Sequence, residues 1–156
     1  MKIYQIKTKQ ILPITLSNAW DFFSNPRNLL KITPLWLKLK VTSDVPEKMY
    51  AGMIITYKVY PFPGIPSNWV TEITQVKEKN FFIDEQRFGP YKFWHHQHYF
   101  KEINNGIEME DTVSYALPFD PLSRAINKLV VGKKVKRIFE FRSKALTKLF
   151  KNHPQN

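Results

Sequence analysis

The chain has 156 residues, of which 43% are hydrophobic and 15% aromatic, and its formal net charge is +11. This length predicts one domain spanning residues 1–156 with one core, and the apolar content excludes a disordered chain. Because the sequence contains no cysteine, disulfides, thiolate catalysis, cysteine-ligated zinc and iron–sulfur clusters are also excluded.

The N-terminal segment does not have the pattern of a signal peptide. Residues 1–9 alternate charged or polar residues with apolar ones, and so lack the continuous apolar core of a signal peptide. No later stretch approaches the roughly 18 uninterrupted apolar residues that a membrane-spanning helix needs. The sequence therefore predicts a soluble, cytoplasmic protein.

The first predicted element is a strand over residues 2–12, where apolar and polar residues alternate. A short helix follows, with Thr15 or Ser17 as its cap and Asn25–Pro26 as its stop signal. A second short helix is predicted over residues 28–32, before another proline turns the chain. Two short helices thus follow the first strand.

Six further strands are predicted between this region and residue 117. The runs are rich in β-branched and aromatic residues, and Pro, Gly and Asn separate them. Their short connections, including the hairpin sequence 104–106, require antiparallel neighbours. Residues 61–66 contain three prolines and a glycine, which predicts a loop at a cavity entrance. The predicted strands are 36–43, 53–60, 67–77, 80–88, 92–103 and 106–117.

The C-terminal segment is predicted to be a long helix that changes phase. Apolar residues before Gly132 lie on one side and those after it on another, so we expect a break or kink at this glycine. Arg142 falls in the middle of the second apolar stripe, where a guanidinium requires an acidic partner or an anionic ligand. We predict pairing with Asp111 or Asp84.

Positive charge is concentrated in the same segment. Residues 122–151 hold ten basic residues and one acidic residue, which gives +9 of the net +11. A solvated helix face is the simpler explanation, and peripheral contact with an anionic membrane or an acidic protein is the alternative. No motif supports specific nucleic-acid binding. The residues expected on the outer face are Lys133, Lys134, Lys136, Arg137, Lys144, Lys148 and Lys151.

The order of these elements resembles the START/Bet v 1-like superfamily, also called SRPBCC, and in particular a bacterial, polyketide cyclase-like branch. The most specific segments are 20–26 (WDFFSNP) with 32–34 (ITP), 88–100 (FGPYKFWHHQHYF) and 111–119 (DTVSYALPF). The resemblance implies an α+β helix-grip fold, in which a seven-stranded curved antiparallel sheet surrounds a long C-terminal helix. It also implies a hydrophobic ligand cavity between sheet and helix, but no particular chemistry, because members bind, carry, cyclise or hydrolyse different molecules.

Strand alternation places several polar side chains toward that cavity. His96 and His98 share a strand face with Trp94, and Asp111 is the charged member of an otherwise apolar face. The predicted ligand-binding residues, which include apolar wall positions, are Tyr57, Trp69, Asp84, Gln86, Trp94, His96, His98, Asp111, Val113, Tyr115, Ile138, Arg142 and Leu146. An ion-pair network without any ligand would satisfy the same polar groups.

Three functions are compatible with this pattern. The leading hypothesis is binding or carriage of a hydrophobic small molecule such as a lipid, isoprenoid, polyketide-like or aromatic compound, without a cofactor. A cyclase or proton-transfer enzyme is an alternative, with His96 or His98 as general base and Asp111 orienting it. A metal site at His96, His98 and Asp111 has weak spacing support, and none is assigned. The third hypothesis is a peripheral interaction module that uses the basic helix.

Overall fold

The computed structural model describes residues 1–118 and 122–151, and it contains seven strands. These are β1 (Tyr4–Leu12), β2 (Lys40–Val41), β3 (Met53–Phe62), β4 (Ile65–Lys77), β5 (Phe81–Phe88), β6 (Phe93–Ile103) and β7 (Gly106–Ala116). They form one antiparallel sheet in the order β1-β7-β6-β5-β4-β3-β2. The register shifts once between β3 and β4 and twice between β4 and β5, and such bulges bend a sheet. The seven-stranded curved sheet and the α+β fold predicted from sequence are therefore confirmed.

Short helices cover one end of the sheet. Helix α1 (Leu16–Phe23) begins after Thr15, whose side chain accepts a hydrogen bond from the Asn18 amide. A 3₁₀ helix (Pro26–Ile32) begins after Asn25, which caps the Arg27 amide in the same way. The two short helices expected after the first strand are present.

The C-terminal helical segment has three parts: α2 (Leu122–Ile126), a π-helical turn (Asn127–Val131) and α3 (Gly132–Phe150). Gly132 itself has ordinary helical dihedral angles, so the chain does not break at this residue. The phase change instead coincides with the π turn, in which the Gly132 amide donates to the Asn127 carbonyl. An i→i−5 hydrogen bond shifts the helix face that follows. None of the described helices is both long and apolar enough to cross a lipid bilayer.

Two predicted segments differ from the structure. Residues 36–43 are not one strand, because Leu35–Leu37 form a 3₁₀ turn and only Lys40–Val41 pair with the sheet. Residues 61–66 are not a loop, because β3 and β4 continue almost to their connecting turn. Val59 pairs with Ser67 and Phe62 with Ile65, so the bulge leaves the intervening prolines outside regular pairing, where their missing N–H groups cost nothing.

The core consists of three clusters around the inner face of the sheet. One joins α1 and the C-terminal end of α3 to β6 and β7, and includes Trp20 and Leu146. A second lies on β3 and β4. The third packs Val113 and Tyr115 of β7 against Val135 and Phe139 of α3. The space enclosed by these clusters forms the candidate site.

Candidate functional site

A cavity of about 280 Å³ lies between the sheet and α3. Its wall is largely apolar and aromatic, with contributions from β3, β4, β5, β6, the 3₁₀ helices and α3. Its polar members include Thr71, Asp84, two histidines and Arg142. Such a volume lies just below the roughly 300–1,000 Å³ of most small-molecule sites, which favours a compact ligand over a long acyl chain.

The strands bring four titratable side chains together at one side of this cavity. Asp84 of β5 is the register partner of His96 on β6, and His98 is the register partner of Asp111 on β7. Because alternate residues of a strand share a face, all four point to the interior. His96, His98 and Asp111 are buried, and Asp84 is partly buried.

Each histidine ring lies between two carboxylates. His96 has Nε2 3.0 Å from Asp111 Oδ1 and Nδ1 3.4 Å from Asp84 Oδ2. His98 has Nδ1 2.7 Å from Asp111 Oδ1 and Nε2 2.9 Å from Asp84 Oδ2. The two ring centroids are 3.7 Å apart. These four side chains are called the His–Asp cluster below.

Burial and mutual charge give the two histidines different pKa values. Burial, together with the nearby His98, lowers the pKa of His96 to about 4. Burial also acts to lower the pKa of His98, but the charges and hydrogen bonds of Asp111 and Asp84 outweigh it and raise that pKa. The cluster thus favours a proton on His98 over one on His96.

The carboxylates respond to the same contacts. Burial acts to raise the pKa of Asp111, but His98 and His96 outweigh it and hold the pKa well below its usual range. The pKa of Asp84 is likewise lowered, because His96 and His98 outweigh its burial. Both carboxyl groups are therefore ionised near neutral pH.

Arg142 reaches the cluster from α3. Its Nη1 lies 3.9 Å from Asp111 Oδ1, so the predicted charge pairing with Asp111 is confirmed at the outer limit of an ion pair. Its buried Nε has no hydrogen-bond partner among the described residues. The side chain also lines the cavity, which leaves this guanidinium available to an anionic group there.

The structure brings eight of the thirteen predicted ligand-binding residues to the cavity wall. Five do not line it. Asp111 lies behind the histidines, and Val113, Tyr115 and Leu146 belong to the packed core. The wall residues are Tyr57, Trp69, Asp84, Trp94, His96, His98, Ile138 and Arg142.

Gln86, the fifth residue, lies at a turn instead of on the cavity wall. Its side-chain amide donates to the Tyr91 carbonyl at 2.7 Å and accepts from the Tyr91 amide at 3.3 Å. Gln86 therefore fixes the turn between β5 and β6. Tyr91, which this turn holds in place, lines the cavity instead.

Sequence reasoning missed a larger part of the wall. Ile55 and Val59 flank Tyr57 at a spacing of two, and Thr71 and Ile73 continue from Trp69 in the same way, so strand alternation could have identified them. Other wall residues lie on short helices and turns, where no period places them. These include Phe22, Leu29, Trp36, Phe62 and Tyr91.

The cavity opens beside the N-terminal end of α3. Trp36 and Phe62 line the cavity but remain 45% and 38% exposed, and the neighbouring Leu35 is 89% exposed. Lys134 donates to the Pro61 carbonyl and lies over the rings of both aromatic residues. It is partly buried, whereas the other six basic residues predicted on the outer face of the C-terminal segment are exposed.

The sheet, the enclosing helix and the internal cavity define a Bet v 1-like, or SRPBCC, helix-grip fold, as the sequence resemblance implied. A protein of Thermus thermophilus superimposes with a TM-score of 0.68 at 16% identity, covering 93% of this chain and 95% of that one. For Ara h 8.0201 the TM-score is 0.63 at 12% identity, with 94% and 99% coverage. A Thalictrum flavum norcoclaurine synthase mutant, solved with a transition-state analogue, gives 0.65 at 11% identity, with 95% and 96% coverage.

No protein-family model matches the sequence, and no curated protein matches it either. At these identities the structural likeness establishes the fold alone. The chemistry of the site depends on its own residues.

Proposed function

We propose that this protein, acting as one ligand-binding domain, binds or carries a compact hydrophobic molecule that bears a polar or anionic group. The observation that carries the proposal is an apolar, aromatic cavity with a buried charged cluster at one side. Apolar walls provide affinity, and a few convergent polar groups fix the orientation of a ligand. The volume supports an aromatic, polyketide-like or short isoprenoid ligand.

Arg142 and Thr71 would contact the polar group of the ligand, while Trp69 and Trp94 would pack against its apolar part. The buried Arg142 Nε has no hydrogen-bond partner among the described residues, and an anionic oxygen would supply one.

Catalysis by proton transfer is the weaker alternative. A general base works best when its pKa is close to the working pH, but burial lowers the pKa of His96 to about 4. His98 has both ring nitrogens engaged by carboxylates. Binding therefore accounts for the cluster better than acid–base chemistry does.

The proposal is tested first by native mass spectrometry, which would detect a copurified ligand. Two probes then report on the cavity: the anionic dye 1-anilinonaphthalene-8-sulfonate and the neutral dye N-phenyl-1-naphthylamine. Ile138→Trp, which fills the cavity, should abolish binding of both. Ile126→Trp is the matched control, because Ile126 is exposed on the same helical segment. Equal binding by wild type and Ile138→Trp would refute the proposal.

A substitution of Arg142 tests whether the cavity recognises a negative charge. Arg142→Met should weaken binding of the anionic dye by at least about tenfold and change the neutral dye little. Equal losses for the two dyes would exclude recognition of a negative charge by Arg142.

The cavity opening supports a second candidate function, peripheral contact with an anionic membrane. Exposed Leu35 and Trp36 lie beside Lys134 and the basic outer face of α3, and this combination of apolar and basic groups suits a lipid surface. Trp36→Ala should reduce cosedimentation with phosphatidylserine-containing vesicles. Phe93→Ala, on the outer face of the sheet, is the control. Equal sedimentation with neutral and anionic vesicles would contradict the proposal.

A further inference from the structure

One carboxylate fixes the ring orientation of both histidines in the His–Asp cluster. Asp111 Oδ1 lies 3.0 Å from His96 Nε2 and 2.7 Å from His98 Nδ1. A carboxylate accepts hydrogen bonds, so when the imidazoles are neutral these are the ring nitrogens that carry the proton. In this neutral form the lone pair of each ring is on its other nitrogen, Nδ1 of His96 and Nε2 of His98, whereas a second proton on His98 would let Nε2 donate to Asp84 Oδ2.

Both lone pairs face the same oxygen atom. Asp84 Oδ2 lies 3.4 Å from His96 Nδ1 and 2.9 Å from His98 Nε2. With neutral rings, two nitrogens and one carboxylate oxygen converge as three electron-pair donors, all within 4.8 Å of one another. Three acceptors packed this closely at a largely buried site repel each other unless a cation lies among them. A proton on one histidine meets this need in part, and a metal ion would meet it completely.

The distances from the two histidine nitrogens to Asp84 Oδ2 suit a metal ion. Bonds of about 2.0–2.2 Å to nitrogen and oxygen place adjacent ligand atoms roughly 2.9–3.4 Å apart in octahedral or tetrahedral geometry. The two distances to Asp84 Oδ2 are 2.9 and 3.4 Å. Histidines that bind a metal also commonly donate their second N–H to a carboxylate, which is the relation of both rings to Asp111.

We propose that Asp84, His96 and His98 form a binding site for a divalent transition-metal ion, with Asp111 as the carboxylate that orients the two histidines. Two imidazoles and one carboxylate favour Zn²⁺ or Fe²⁺ over Ca²⁺ or Mg²⁺. The third ligand is Asp84, whereas the sequence had pointed to Asp111. The two strands that carry the ligands, β5 and β6, are hydrogen-bonded neighbours and hold the site rigidly.

The remaining coordination positions of the metal face the cavity. All three proposed ligands line it, whereas Asp111 does not. With a divalent ion, two carboxylates, Arg142 and neutral histidines, the net charge of the site is +1. A cavity ligand with an anionic oxygen, such as a carboxylate, enolate or phenolate, would neutralise this charge. This extension to a cavity ligand rests on the proposed function.

The test uses the full-length protein without a polyhistidine tag, stripped with EDTA and dialysed. Zn²⁺ is titrated by isothermal calorimetry, and Co²⁺ is used as a second probe because its visible absorption reports coordination. We expect one ion per chain. Asp84→Asn and His98→Gln should each weaken Zn²⁺ binding by more than about 100-fold, because loss of a ligand exceeds the 10–100-fold effect of an outer-shell change.

A matched control lies one residue away on the outer face of the sheet. His95 Nδ1 is 2.7 Å from Glu85 Oε1, so His95→Gln and Glu85→Gln remove a similar pair and should leave affinity unchanged. Far-UV circular dichroism verifies that each variant is folded, and the partly exposed Asp84 is the primary position.

Wild-type binding no tighter than that of Asp84→Asn would overturn the proposal. So would one-to-one binding that survives both ligand variants, because the ion would then lie elsewhere. The titration contains no organic ligand. If Zn²⁺ does not bind, the dye-binding experiments can therefore still support the proposed function.

Discussion

Replacing Asp111 with Asn should destabilise the metal-free protein far more than removing Arg142. Asp111 accepts hydrogen bonds from His96 and His98 and is 1% exposed. Hydrogen bonds to a charged group contribute about 1.5–3 kcal/mol each. Asparagine keeps one oxygen that can accept these hydrogen bonds but carries no charge, so the substitution weakens both bonds and leaves Arg142 without its nearest anion, and it should cost about 3–5 kcal/mol.

Arg142→Met should change stability by no more than about 1 kcal/mol, because Asp111 keeps both histidine donors. The guanidinium is 3.9 Å from the carboxylate, and its buried Nε has no hydrogen-bond partner among the described residues. Methionine keeps most of the aliphatic length and removes that unsatisfied group. The double variant should be more stable than Asp111→Asn alone, since no isolated buried cation remains.

Urea unfolding in EDTA, followed by circular dichroism and tryptophan fluorescence, measures these differences. Glu110→Gln is the control, because Glu110 neighbours Asp111 in sequence but pairs with exposed Lys7 and Lys9, and surface pairs contribute little. If Arg142→Met were as destabilising as Asp111→Asn, the ion pair rather than the histidine hydrogen bonds would hold the cluster together, and the reasoning would fail.

Two further predictions concern the frame around the site. Tyr115→Phe removes the hydroxyl that donates to Asn127 Oδ1 at 2.9 Å. Because a buried acceptor is left unpaired, the free energy of unfolding in urea should fall by about 1–3 kcal/mol. An unchanged urea midpoint would show that the π turn does not need this bond. Gly106→Ala should lower the melting temperature more than Gly64→Ala. Both glycines have positive φ, but only at Gly106 would a Cβ lie 2.1 Å from the Leu12 carbonyl oxygen, so equal losses would contradict the steric explanation.

Strand alternation was sufficient to predict which residues of β6 face inward. His96 and His98 are buried with Phe100, while Phe93 and Tyr99 are exposed on the opposite face. The pattern works here because β6 pairs without bulges with β5 and β7, so the period of two continues along the strand. The helix likewise placed Arg142 correctly, because α3 is regular from Gly132 onward.

Prediction failed where the backbone leaves a regular period. The 3₁₀ turn Leu35–Leu37 and the bulge between Val59 and Phe62 bring Trp36 and Phe62 to the cavity opening. Both depend on how the chain crosses the sheet, which propensities of single residues do not encode. The predicted position of Gln86 differs from the structure for a related reason. Its hydrogen bonds to Tyr91 depend on a turn whose geometry the sequence did not specify.

Only the three-dimensional register of the strands distinguishes the position of Asp84 from that of Asp111. Both are acidic residues on inward faces, and each is the register partner of one histidine. Their environments differ because Asp84 borders the cavity, whereas Asp111 lies behind the histidines toward Arg142. A carboxylate that contacts the cavity can meet a ligand or a metal ion, whereas the one behind the imidazoles orients them and pairs with Arg142. Because one residue of slip would exchange the inner and outer faces of a strand, the two roles follow from the pairing of β5, β6 and β7 and not from residue type.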